Sequence, residues 1–187
     1  VLSRGARRLE VHCVVNWHED HTLLKVAFPL AVRATSATHE IQFGHVVRPT
    51  HRNTSWDQAR FETCAHTWVD VSEAGFGVAV LNDSRYGHDV VGSTVRISLL
   101  RSPTWPDPVA DRGRHEFAYA LYPHVGGFAE GGVIAEAHAF NAPLRVRRIV
   151  GGADSGAGSM VAGAGSDDPL ADSSLPGGSP ATDQQGR

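Results

Sequence analysis

The feature that most limits what this chain can fold into is a two-residue alternation of apolar and polar side chains. It recurs in short runs through the first 150 residues and is cut repeatedly by Gly, Asn, Asp and Pro. In residues 94–100 (TVRISLL), Val95, Ile97 and Leu99 fall on one side and Thr94, Arg96 and Ser98 on the other. That is the period of a strand with one buried face. The same period runs through Leu9, Val11, Cys13 and Val15. After the polar NWHEDH it resumes with Leu24, Val26, Phe28, Leu30 and Val32, a pattern that reads as a hairpin. Further strands are expected at 40–43, 45–48, 66–71, 77–81, 89–100 with Gly92 as a turn or bulge, and 115–122, where Phe117, Tyr119 and Leu121 share a face. Residues 49–60 (PTHRNTSWDQAR) read as a polar loop.

Short strands with this spacing and punctuation predict an all-β fold, an antiparallel β-sandwich. One stretch departs from the pattern. Residues 132–141 (GVIAEAHAFN) are Ala-rich and end on Asn shortly before Pro143, so a single short helix is expected there, with a last short strand at 144–150. From Gly151 the composition turns to Gly, Ser, Ala, Asp and Pro. Such a segment buries too little apolar surface to offset its chain entropy, so residues 1–150 are expected as the sandwich domain and 151–187 as a disordered tail.

The net charge of −3 conceals an uneven distribution. The tail holds five Asp and one Arg, which leaves the first 150 residues close to neutral and without a Lys/Arg stripe. Nucleic acid and anionic membranes are therefore not expected partners. No apolar run approaches the ~18 residues that span a bilayer, and no signal-peptide pattern opens the chain. Cys13 and Cys64 lie far apart, in no CxxC pattern, among strand-like apolar residues. They are expected as two buried free thiols, which fits a reducing, cytoplasmic compartment. Because the first residue is Val1 rather than Met, the sequence is expected to begin inside a longer polypeptide or after processing.

Catalytic signatures are sparse. His12, His18 and His21 cluster with Glu19 and Asp20, but the spacing is not that of a tight zinc site, and the group reads as a solvated turn. There is no GxSxG elbow. Asp83, Asp89, Asp107, Asp111 and Glu116 are the candidates for a carboxyl pair facing a sugar, yet Asp83 and Asp107 sit where Asp ordinarily makes turns. Trp17, Trp56 and Trp105 fall in expected loops, where an indole either stacks on a sugar or lids the end of a sandwich. Arg101 continues the apolar parity of 94–100 and is followed by the proline-rich SPTWPDP. Its guanidinium must reach solvent at a strand end, meet a carboxylate, or point into a cleft.

Five long stretches in order are more specific than any of these: NWHEDHTLLKVAFP, EIQFGHVVRPTHRNTSWDQARFE, AHTWVDVSEAGFGVAVLNDSRYGHDV, SLLRSPTWPDPVADRGRHEFAYALYPH and NAPLRV. Together they resemble the C-terminal β-domain of glycoside hydrolase family 38, the α-mannosidases, in its microbial and cytosolic-type branch, over residues 10–146. The resemblance implies a zinc-dependent retaining enzyme that removes α-linked mannose from glycans or oligosaccharides. Zinc, nucleophile and acid/base carboxylate would belong to an N-terminal catalytic domain of the same polypeptide. No catalytic or metal-binding residue is then expected in this chain. The β-domain would support the sugar cleft through an arginine, which is placed at Arg101, with Asn82, Asp83 and Tyr86 of NDSRYG beside it. After NAPLRV the family pattern would continue with further β-structure, which leaves open whether the sandwich is complete. Two other readings stand beside this one: a stand-alone carbohydrate-binding β-sandwich and a non-functional gene fragment.

Overall fold

The computed structural model describes residues 1–145. In chain order the elements are β1 (Leu9–Trp17), β2 (Leu24–Pro29), β3 (Ser36–Ile41), β4 (Gly44–Pro49), α1 (Ser55–Ala59), β5 (Thr63–Cys64), β6 (Trp68–Glu73), β7 (Phe76–Asn82), β8 (Gly87–Val91), β9 (Thr94–Leu100), β10 (Gly113–His124) and α2 (Val133–Asn141). The strands form two antiparallel sheets, one of six in the order β1-β10-β7-β6-β3-β4 and one of four in the order β2-β9-β8-β5. The fold is thus the all-β sandwich that the alternation required. Between the sheets lies a core that joins Val69, Val71, Val78 and Val80 of the larger sheet to Val95, Ile97 and Leu99 of the smaller, with Phe117 and Tyr119 among them.

Alternation fixes which side of a strand is buried but not which strand lies beside it, and the β1–β2 hairpin was wrong for this reason. β1 pairs with β10, from Leu9 opposite Leu121 to Trp17 opposite Gly113, while β2 pairs with β9 in the other sheet. Residues 18–23 carry the chain from one sheet to the other with the polar composition of a tight turn. Of the turn or bulge expected at Gly92 within 89–100, the structure has the turn: it joins β8 to β9, and its φ of 57° suits glycine. The loop at 49–60 contains a second helix, α1. Thr54 accepts from the Asp57 amide at 3.1 Å, and the Asp57 carboxylate accepts from the Thr54 amide at 3.2 Å, a capping box.

The larger sheet is buried on its second face as well. Ala120 and Tyr122 of β10 have the parity that usually faces water, yet with Trp68, Ala79 and Leu81 they pack under Val133 and Ala137 of α2. Beneath the chain just before this helix, His124 meets Asp70 at 2.7 Å with both side chains buried. Burial pushes the Asp70 carboxyl up, against the opposing hydrogen bonds from Ser72 and His124. A Cβ on Gly131 would lie 2.2 Å from the His124 ring, so only glycine fits there.

Both cysteines are free, but they are not buried: Cys13 is half-buried and Cys64 exposed on the two-residue β5. Leu144 and Arg145 belong to no strand. The rest of the expected last strand, the domain limit at residue 150 and the expected disorder of 151–187 lie outside the described residues. Among the described residues no helix is long and apolar enough to cross a membrane.

Candidate functional site

A cleft of about 910 Å³ opens where the end of β9, the loop after it and the β7–β8 turn converge. This lies at the top of the size range for small-ligand sites. Arg101 and Tyr86 both line it, along with Phe61, Arg85, Trp105 and Asp111.

The local sequence positions Arg101 through its neighbour. Ser102 is fully buried and has a positive φ of 52°. Its hydroxyl accepts from the Trp17 indole N–H at 2.5 Å, its carbonyl accepts from the His21 amide at 2.9 Å, and its amide donates to Asp111 Oδ2 at 3.0 Å. The end of β1, the 18–23 crossover and the loop before β10 are therefore tied to one residue, and Arg101 precedes it. The Arg101 amide also donates to Asp111 Oδ2, at 3.0 Å. These amides, Arg101 first, hold the Asp111 carboxyl below its usual range, so it stays anionic and is no proton donor near neutrality. The Arg101 guanidinium is exposed and enters no ion pair among the described residues.

The NDSRYG residues divide. Tyr86 is half-exposed on the cleft wall. Asn82 is fully buried and does not line the cleft: its amide nitrogen donates to the His66 carbonyl at 2.7 Å, and its Oδ1 accepts from the Arg85 amide at 2.8 Å. Asp83 accepts from the Ala118 amide at 2.8 Å and from the Ser84 hydroxyl at 2.8 Å, which clamps the turn to β10. Both side chains shape the turn that presents Arg85 and Tyr86. Replacing Asn82 with Ala strands two backbone groups and is expected to cost about 2–3 kcal/mol of stability. A urea titration with a midpoint equal to that of the parent chain would show that the turn does not need it.

The remaining candidate carboxylates are also committed. Asp89 is bound by Lys25 and Arg96, each at 2.7 Å, Asp107 accepts from the Val109 amide at 2.9 Å, and Glu116 pairs with Arg114. Glu62, on the cleft wall, is taken by Lys25 at 2.7 Å and by the Ser98 hydroxyl. The cleft is therefore furnished for binding: guanidinium and phenol donors, two engaged carboxylates (Asp111 and Glu62), and apolar faces from Phe61, Tyr86 and an 85% exposed Trp105. Of the other loop tryptophans, Trp56 stands on α1 and Trp17 ends β1. The histidine group at 12–21 is dispersed, with His12 beside Glu10, Asp20 held by Arg112 and His21 near Thr104. Among the described residues there is no group of three or more His, Cys, Asp or Glu side chains that could hold a metal ion.

Comparison with known proteins gives a consistent result. The family profile described as Glycosyl hydrolases family 38 C-terminal domain matches residues 1–109. Alpha-mannosidase 2C1 of Homo sapiens is 58% identical over 144 residues, which cover 77% of this chain but 14% of that protein. Alpha-mannosidase G of Dictyostelium discoideum is 50% identical over 141 residues, 75% of this chain and 13% of its own length. The chain thus spans about a seventh of the curated relatives it matches. A crystal structure of an alpha-mannosidase from Enterococcus faecalis superposes with a TM-score of 0.67 at 20% identity, over 74% of this chain and 17% of that one, a likeness of fold.

Proposed function

This chain belongs to the glycoside hydrolase family 38 C-terminal domain family, and from that premise we propose that it is the C-terminal β-domain of an α-mannosidase and supports the sugar cleft of a zinc-dependent catalytic domain. The substrate is α-linked mannose in a glycan or oligosaccharide, and the zinc and the reacting carboxylates come from the catalytic domain of the same polypeptide. One observation carries the reading: Tyr86 and Arg101, which flank the open end of the β8–β9 hairpin, line a single cleft large enough for more than one sugar ring. A guanidinium with free donors suits vicinal hydroxyls, and exposed aromatic faces suit the C–H side of a pyranose. The free cysteines support a reducing compartment, and we place the enzyme in the cytoplasm.

Retaining hydrolysis needs a nucleophile and a separate acid facing each other across the sugar. Here the cleft carboxylates are engaged by backbone amides, Lys25 and Ser98. The 187-residue chain alone is therefore expected to release no p-nitrophenol from the α-mannoside, with zinc added. Turnover well above buffer would overturn the division of labour between the domains.

A further inference from the structure

Arg85 carries no signal in the sequence beyond being one basic residue in a turn, yet it is held on the cleft in an unusual way. Its amide is fixed by Asn82 at 2.8 Å, and its guanidinium carbon lies 4.5 Å from the centre of the Phe117 ring. Its Nε is sealed from water and has no acceptor. None of the ion pairs among the described residues includes it. A buried donor left without a partner destabilises the folded chain, and an arginine with a purely structural task would sit in solvent or against a carboxylate. Instead the cation is stacked on an aromatic ring and turned to a cleft whose nearby carboxylate, Asp111, is engaged with two backbone amides.

The chemistry of the lining limits what Arg85 can meet. The carboxylates of the wall are engaged, Glu62 by Lys25 and Ser98 and Asp111 by two backbone amides, so the wall has no acceptor to spare for the guanidiniums of Arg85 and Arg101. What it has is donors without acceptors beside exposed aromatic faces, which matches a neutral polyhydroxyl compound. We infer that Arg85 is a second substrate-binding guanidinium of this cleft, donating to hydroxyl oxygens of the mannoside alongside Arg101. The inference rests on the reading of the cleft as the sugar-supporting surface and adds a residue to it.

The role is separable from structure because the two make opposite predictions. In an α-mannosidase polypeptide carrying this domain, Arg85→Met keeps an apolar stem on Phe117 and removes the cation. Its kcat/KM for the oligosaccharide is expected to fall tenfold or more, mainly through KM, while the melting temperature of the same protein stays equal or rises. Arg85→Lys, which restores a donor, is expected to recover part of the loss. An unchanged kcat/KM in Arg85→Met would overturn the inference. So would a fall in activity accompanied by a drop of several degrees in melting temperature, because that is the signature of a structural arginine. Arg101→Ala, measured in parallel, separates the two claims: if it lowers kcat/KM while Arg85→Met does not, the cleft reading stands and the inference about Arg85 fails.

Discussion

Acidification from pH 7.5 to pH 5 is expected to cost the 187-residue chain up to about 4 kcal/mol of stability, from two histidines buried in the sandwich. His39 of β3 and His88 of β8 are buried, on opposite sheets, and Thr63 reaches both: its hydroxyl donates to the His88 carbonyl at 3.1 Å and lies 3.4 Å from His39 Nε2. Burial is the main cause that holds His39 down at about 3, with Arg48 and His88 adding to it against the Ala37 carbonyl. Burial likewise holds His88 at about 4. There Lys25 and Arg48 add to the effect, while the Tyr86 carbonyl and Glu62 oppose it. In the unfolded chain both titrate near 6.5. Between 6.5 and the folded values the unfolded chain binds more protons than the folded one, so stability is fully present above about pH 6.5 and falls as pH drops below it. At pH 5 each histidine accounts for about 2 kcal/mol. Asp70, whose carboxyl is pushed up, works in the opposite sense, whereas Glu10, Asp57, Asp89 and Asp111, all held down, lose their contributions only as pH falls through the carboxylate range. Urea unfolding at the two pH values measures the sum, and His88→Gln should remove close to half of the difference. Equal midpoints at pH 7.5 and 5 would show that the two imidazoles are not desolvated as the sandwich requires.

How much of this was legible in the sequence depends on how local each signal was. β9 was readable to the residue because a one-sided burial pattern writes period two directly into TVRISLL. The turn to its neighbour β8 was marked by Gly92, where the sequence left a turn and a bulge both open and the structure has the turn. The partner of β1 was illegible: pairing Cys13 with Phe117 brings together residues a hundred positions apart, and nothing in either stretch names the other. β10 did carry a clue to the helix over it, because Ala120 stands where a solvent-facing strand would place a polar residue, and a small residue leaves room for a packed layer. A clue to α1 was also present, in the Thr-x-x-Asp spacing of its capping box.

The cleft was half legible. Arg101 broke the pattern of its own strand, which drew attention to it, and Tyr86 followed from the resemblance. Asn82 and Asp83 were named with them, and their side chains instead hold the His66, Arg85 and Ala118 backbone groups. Arg85 was missed because its peculiarity lies in what surrounds it: Phe117 on another strand beneath it, and no acceptor for its Nε. No spacing rule records an absence of partners.

The central claim is that this sandwich lends Arg101 to the sugar site of an α-mannosidase, and the most direct measurement is kcat/KM for Arg101→Ala in a polypeptide that includes the catalytic domain. The Arg101 backbone is already satisfied by Asp111, so truncating the side chain leaves the loop intact and removes only the free guanidinium. Losing a charge-assisted hydrogen bond in the transition state is worth roughly 1.5–3 kcal/mol, about ten- to a hundredfold in kcat/KM. Stability should change by no more than about 0.5 kcal/mol. Arg96→Ala is the control: it lies on the same strand, but its guanidinium is paired with Asp89 rather than lining the cleft. The account predicts a loss of at least tenfold for Arg101→Ala with Arg96→Ala at the parent value. Parent-level kcat/KM in both variants would contradict it and leave Arg101 as the solvated end of a strand.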